Sequence, residues 1–273
     1  MAKILDGLVV QAKIQKALVA ICRPFARQPH LVIIQVGAWP ESTLYIKRKK
    51  EFGARIGVNI THARYPKAIT EAELISKIIN FNNDPSVHGI IVQIPLPKQL
   101  ITARILNAIS ASKDVDGLSA VNLQATWQND QSGFRPATIR GVLALLNYYK
   151  ISLRGQTAVI IGRSSLVGKH LALACLNAGA MVTICHRGTK NLSEVTKRGD
   201  ILIVAAGSPG LITRKHVGVN QVIVDVGINV RSGQKLLEEI GRRKIVGDVA
   251  YEEVAPIVKA ISPVPGGVGP LTI

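Results

Sequence analysis

A tyrosine and a lysine four positions apart, Tyr45 and Lys49 in the stretch YIKRKK, have types and spacing that could do chemistry. On a helix, residues i and i+4 share a face, so the phenol and the amine point the same way. Lys47, Arg48 and Lys50 point elsewhere but stay near. Neighbouring cations and partial burial both favour the neutral amine, the form in which a lysine is useful near neutral pH. A packed tyrosine beside a solvated lysine would leave the same pattern, and the spacing alone does not separate the two.

A second candidate is TAVIIGRSSLVGKHLALACL, which reads as a strand, a tight glycine turn and a helix. Gly162 permits the turn and a close approach to a pyrophosphate, Gly168 lets helix and strand pack closely, and the amides opening the helix form an anion site. An enzyme using NAD usually carries an acid at the end of the next strand, where it holds the ribose hydroxyls. Here that strand ends in Cys185, His186 and Arg187. Arg187, with Arg163 in the turn, can hold a 2′-phosphate instead, which points to NADP. Two solvated arginines at a sheet edge are the plain alternative.

These residues need elements to position them, and the chain supplies two series of alternating strands and helices. HLVIIQVG leads into the helix around Tyr45. VNITHARYP is strand-like, TEAELISKIINFNNDP is a helix opened by a capping box of Thr70 and Glu73, and VHGIIVQIPLP is an apolar strand closed by prolines. After a helix within RPATIRGVLALLNYYKISLRG, the strands TAVIIG, MVTICH, ILIVAAG and QVIVDVGI follow, with a helix over SSLVGKHLALACLNAG between the first two. Near-continuous apolar strands separated by helices imply parallel sheets covered on both faces. The fold class is therefore α/β, as two α/β domains with a cleft between them, the second Rossmann-like. The expected boundaries are 1–138, with 262–273 returning to it, and 139–261.

Composition narrows the partners. Of 273 residues, 34 are basic and 17 acidic, a net charge of +17 that favours an anionic partner. Aromatic residues make up 4%, too few for a base-stacking platform, and the cations are scattered, so no nucleic acid is expected. Cys22, Cys175 and Cys185 have no CxxC spacing, which favours a reducing compartment and neither a disulfide framework nor a metal site. Polar residues interrupt the apolar amino terminus, and no run of about 18 apolar residues is present, so no membrane partner is expected and the reading is cytoplasmic. None of the six histidines falls in a metal-ligand or triad spacing, and only His186 lies near the cofactor turn.

The strings YIKRK, VQIPLP, KDVDG, GRSSLVG, DVGIN, GDV and PVPGGVGP occur in order along nearly the whole chain. On them the chain resembles the bifunctional methylenetetrahydrofolate dehydrogenase/cyclohydrolase family. The resemblance implies NADP-dependent oxidation of methylene-tetrahydrofolate, then hydrolysis of the methenyl product to formyl-tetrahydrofolate. It places the chain in one-carbon metabolism feeding purine biosynthesis, as a homodimer, acting on folates whose polyglutamate tails would suit the basic surplus. It also implies roles. Lys49 would be the catalytic lysine, Tyr45 would lie against the folate rings, and Gln93 would hydrogen-bond near Lys49 and help set its protonation. Asp116 would anchor the pterin, with Asp114 structural. Val92, Ile94, Pro265, Gly266, Gly267, Val268 and Gly269 would line the folate site. Thr138, Gly162, Arg163, Ser164, Arg187 and Ile228 would contact NADP.

The chain departs from that pattern at Ala137 and Ile139, where the family usually has a cysteine and a proline, so an altered pocket is expected there. A shikimate- or amino-acid-dehydrogenase-like enzyme shares the architecture, but Tyr45, Gln93, KDVDG and the terminal glycine run argue against it. A folate- or nucleotide-binding paralogue with weak or lost turnover, or a nucleic-acid binder exploiting the charge of +17, is the remaining rival.

Overall fold

In a computed structural model the described residues are 2–230 and 245–273. In chain order they form β1 (Lys3–Ile4), α1 (Gly7–Cys22), β2 (His30–Val36), α2 (Pro40–Ile56), β3 (Asn59–Tyr65), α3 (Glu71–Asn83) and β4 (Gly89–Val92). Next come α4 (Thr102–Asn107), α5 (Ala120–Trp127), α6 (Ala137–Tyr148), β5 (Thr157–Ile161), α7 (Gly168–Asn177), β6 (Met181–Cys185), α8 (Leu192–Lys197) and β7 (Ile201–Val204). The chain closes with β8 (Val222–Asp225), β9 (Asn229–Val230), β10 (Ile245–Val246), α9 (Tyr251–Val254) and β11 (Ala260–Ile261). Two compact units result. One holds the described residues of 1–11 and 138–272, the other 12–137 and Ile273.

The unit of residues 12–137 is built on a parallel sheet in the order β3-β2-β4. β2 and β4 are buried along most of their length, which is why they read as unbroken apolar runs. Helix α2 packs through Ile46, fully buried against Ile33 of β2 and Ile91 of β4. Gly53 lets the helix come close, since a Cβ there would stand 2.5 Å from the Ile60 side chain. The expected capping box is present: Glu73 N–H donates to Thr70 Oγ1 (3.2 Å) and Thr70 N–H to Glu73 Oε2 (2.8 Å). Lys113 Nζ closes the other end of α3, donating to the carbonyls of Phe81, Asn82 and Asp84 at 3.2, 2.7 and 2.7 Å.

The other unit carries a six-stranded parallel sheet, β1-β11-β8-β7-β5-β6. Successive residues of its strands face opposite sides. Ile160, Ile203 and Val224 join Leu145 and Leu146 of α6 and Leu171 of α7, while Ile161, Leu202 and Ile223 join Val254 of α9.

The termini group differently from the boundaries expected above. β11 pairs with both β8 and β1, Gly7 N–H donates to Gly266 O (2.7 Å), and Val268 lies in the core with Ile139 and Val142. Residues 262–272 and the first eleven therefore belong with the six-stranded sheet. The two-residue strands that bring them there have no periodicity to read. Ile139 is fully buried in that core and is not a pocket-lining residue. Helix α7 begins at Gly168, later than its apolar spacing indicates, because residues 164–167 form a turn.

Candidate functional site

Tyr45 and Lys49 lie one turn apart on α2, both half-buried beside the stripe of Ser42 and Ile46 that faces the sheet. Burial pushes the Tyr45 phenol above its ordinary range, with Arg48 pulling it back. Val92 ends β4, and Gln93 follows, its N–H donating to Ile34 O (2.8 Å) so that the residue stays in line with the strand. Contrary to expectation, the Gln93 amide does not bond to Lys49. Its Nε2 donates to Ile94 O (3.0 Å), and Oε1 is buried without a donor. An unmatched buried acceptor is costly unless something else supplies the hydrogen, so it is a natural seat for a ligand N–H or O–H. The Ile94–Pro95 bond after it is cis.

The KDVDG segment runs beside β4. Ile90 N–H donates to Lys113 O (2.7 Å) and Ile90 forms a parallel bridge with Asp114. Past that single bridge the chain turns, Gly117 N–H donating to Asp114 O (3.0 Å), and Asp116 lies in the turn. The two acids are treated differently. Asp114 is 1% exposed, and its Oδ2 accepts from Ser119 N–H (2.8 Å) and Asn122 Nδ2 (2.9 Å). That is the structural role expected of it. Among the described residues, no donor meets the Asp116 side chain. Burial holds this carboxyl above the usual range, Lys49 draws it back, and Asp114 adds to the rise. Tyr45, Lys49, Val92, Gln93, Ile94 and Asp116 all lie on one unit, with Lys49 close enough to Asp116 for its charge to be felt.

The remaining candidates lie on the other unit. Gly162 has φ +122°, and a Cβ there would overlap Ala205 O. Gly168 is equally tight against the backbone of Gly162, as the glycine reading required. The helix amides are less open than expected, for Ser164 Oγ accepts from Val167 N–H (3.3 Å) and Gly168 N–H (3.2 Å). An anion would therefore be met by the turn rather than by these two amides. Arg163 is exposed in that turn. Arg187 is exposed at the end of β6, in a tight turn closed by His186 N–H to Thr189 Oγ1 (2.9 Å), Thr189 N–H to His186 O (2.8 Å) and Gly188 N–H to His186 Nδ1 (3.0 Å). Burial pushes the adjacent Cys185 thiol up, toward the neutral form, with a Thr189 hydrogen bond pulling it back. These features fit a phosphate-bearing dinucleotide: a glycine turn a pyrophosphate can approach, and arginines where an NAD site would place an acid. Thr138 sits half-buried in the first turn of α6, and Ile228 is 44% exposed just after β8. The run from Pro265 to Gly269 follows β11. Gly266 has φ +109°, and Gly267 is packed against Ser262 and Pro263.

Residues 5–116 match the family described as tetrahydrofolate dehydrogenase/cyclohydrolase, catalytic domain, and residues 136–273 match the NAD(P)-binding domain of the same family. The chain belongs to the tetrahydrofolate dehydrogenase/cyclohydrolase family. It is 41% identical to the bifunctional enzyme FolD, a methylenetetrahydrofolate dehydrogenase/cyclohydrolase from Campylobacter jejuni, whose crystal structure it matches with a TM-score of 0.93 over 100% of this chain and 94% of that one. The FolD of Trypanosoma brucei, solved with NADP cofactor and an inhibitor, is 29% identical with a TM-score of 0.93, covering 99% of this chain and 93% of that one. Shikimate dehydrogenase from Thermus thermophilus, 15% identical with a TM-score of 0.52 over 90% and 91% of the two chains, shares the fold alone.

Two residues inside the family's strings DVGIN and GDV carry more of the second unit than the sequence disclosed. Asp225 Oδ1 accepts from Gly227 N–H (2.9 Å) and Asp248 N–H (3.1 Å), and its Oδ2 from Val249 N–H (2.9 Å). Burial pushes this carboxyl up to about 7, against the pull of those three amides. Asp248 is fully buried and accepts from the amides of Ala206, Gly207 and Ser208 and from Asn229 Nδ2. An acid within each string, one or two residues from a glycine, was the available signal.

Proposed function

We propose that this protein oxidises methylene-tetrahydrofolate with NADP and hydrolyses the methenyl product to formyl-tetrahydrofolate. The observation that carries this reading is an Asp116 carboxyl without a protein donor within electrostatic reach of Lys49, on the same unit as the unmatched Gln93 acceptor, in a chain of this family. Asp116, with its acceptor oxygens unused by the protein, is suited to receive paired N–H bonds from the aminopyrimidinone edge of a pterin. The half-buried Tyr45 offers a flat apolar face to the folate rings, and Gln93 Oε1 accepts a further ligand hydrogen. In this reading the Lys49 amine takes a proton from the water that attacks the methenyl carbon and returns it to the ring nitrogen whose C–N bond breaks. NADP, held by the Gly162 turn with Arg163, Ser164, Arg187, Thr138 and Ile228, supplies the hydride acceptor. In this reading Val92 and Ile94, with Pro265, Gly266, Gly267, Val268 and Gly269, bring backbone against the folate.

The finer readings have separate support. A homodimer fits the exposed edge strand β6, which presents Met181 and Ile184 with Leu176 of α7, an apolar edge that proteins otherwise cover. A polyglutamate tail fits the charge of +17, and a cytoplasmic location fits three free cysteines. The assay supplies methylene-tetrahydrofolate with NADP and follows reduced cofactor and methenyl product together, then repeats with Lys49→Met. The variant is expected to bind folate but lose hydrolysis by about 100-fold or more, the usual yield of a positioned acid or base. Unchanged hydrolysis would remove Lys49 from the mechanism.

A further inference from the structure

The six-stranded sheet winds in two directions. β6 lies on one side of β5, while β7, β8 and β11 lie in succession on the other. The crevice outside the carboxyl ends of β5 and β7 is the switch point at which such sheets take ligands. Its walls are the turn after Gly162 and the loop after Val204, and they touch where Gly162 meets Ala205.

That second wall has an unusual occupant. The successive amides of Ala206, Gly207 and Ser208 converge as an anion-binding nest. The anion they hold is internal. Asp248 Oδ2 accepts from Ala206 N–H (2.7 Å) and Gly207 N–H (2.9 Å), and Oδ1 from Ser208 N–H (2.8 Å). A fourth bond, from Asn229 Nδ2 to Oδ1 (2.8 Å), ties in the residue after Ile228. The fit is set from both sides: a Cβ at Gly227 would overlap the Asp248 carboxylate, and one at Gly247 would overlap that of Asp225. One side chain, about 40 residues away in sequence, therefore fixes the wall at 206–208 and the rim at 228–229 together.

We propose that Asp248 is a positioning residue for the dinucleotide, acting through the loop whose amides it fills and not by touching the cofactor. The inference rests on the reading that this unit binds NADP. It is tested with Asp248→Asn, which keeps the shape of the side chain but sets an NH2 against an N–H donor. Three quantities are measured: NADPH affinity by direct calorimetric titration, hydrogen exchange of the amides at 206–208, and opening of methenyl-tetrahydrofolate, which uses no cofactor. NADPH binding is expected to weaken about tenfold, the cost of one charge-assisted hydrogen bond, with faster exchange at 206–208. The kcat and KM of ring opening should stay within about twofold of the original, a split that a general loss of folding would not give. Equal NADPH affinity in the folded variant overturns the inference. If Asp248→Asn does not fold, Asn229→Ala decides: it removes the fourth bond alone, and about threefold weaker NADPH binding is expected, with no change overturning the inference. Failure of the unaltered protein to bind NADPH would instead strike the cofactor reading, and this inference with it.

Discussion

The two units handle their buried carboxylates in opposite ways. On the second, Asp225 and Asp248 have their oxygens occupied by backbone amides and one asparagine, and glycines are cut to their shape. On the first, Asp116 is half-buried and partly desolvated, no donor among the described residues meets it, and a lysine stands nearby. Asp114, two residues earlier, belongs with the saturated kind. A carboxylate whose lone pairs are filled by its own chain serves as architecture. One that is desolvated and left unfilled is prepared for something that is not protein.

The contrast can be broken most decisively within KDVDG. Asp114→Ala removes a buried acceptor and strands the Ser119 and Asn122 donors, so a loss of about 3 kcal/mol in urea unfolding is expected. Asp116→Asn should leave the unfolding midpoint nearly unchanged yet lower kcat/KM for methylene-tetrahydrofolate about 100-fold, as paired charge-assisted bonds to the pterin are lost. If the two variants exchanged phenotypes, the division into filled and unfilled carboxylates would be mistaken. Asp225 gives a smaller effect with an informative sign. Its folded-state value of about 7 lies above the ordinary 3.8, so the folded protein takes up a proton that the unfolded chain does not. Between pH 8 and 6 this group should add about 1.4 kcal/mol of stability as the pH falls, the reverse of an ion-paired carboxylate. Subtracting the pH profile of Asp225→Asn from that of the unaltered protein isolates the contribution. A flat difference would show that the three amides offset the desolvation fully.

Local order decides what could be read in advance. Strands β2, β4, β5, β7 and β8 were visible because burial on two faces leaves a near-continuous apolar run, as in GIIV and ILIV, whereas the two-residue β1 and β11 were not. The Thr70–Glu73 box was visible because both of its bonds span three residues. Tyr45 and Lys49 were visible as a helical pair, and Gly162 as a turn before a helix. Ser164 was harder, since turn and helix start look alike in sequence, and its hydroxyl takes two amides expected to stay open.

The amino-acid sequence by itself determined the α/β class and the positions of most strands and helices. Each is written in periodicities and caps that span a few positions. Tertiary structure alone decided that the two chain ends join one sheet, that Gln93 keeps an unmatched acceptor, and that Asp248 reaches back about 40 residues to fill the 206–208 amides. Those outcomes depend on which backbone donors surround a buried oxygen, and distant segments supply them only after the sheet has formed.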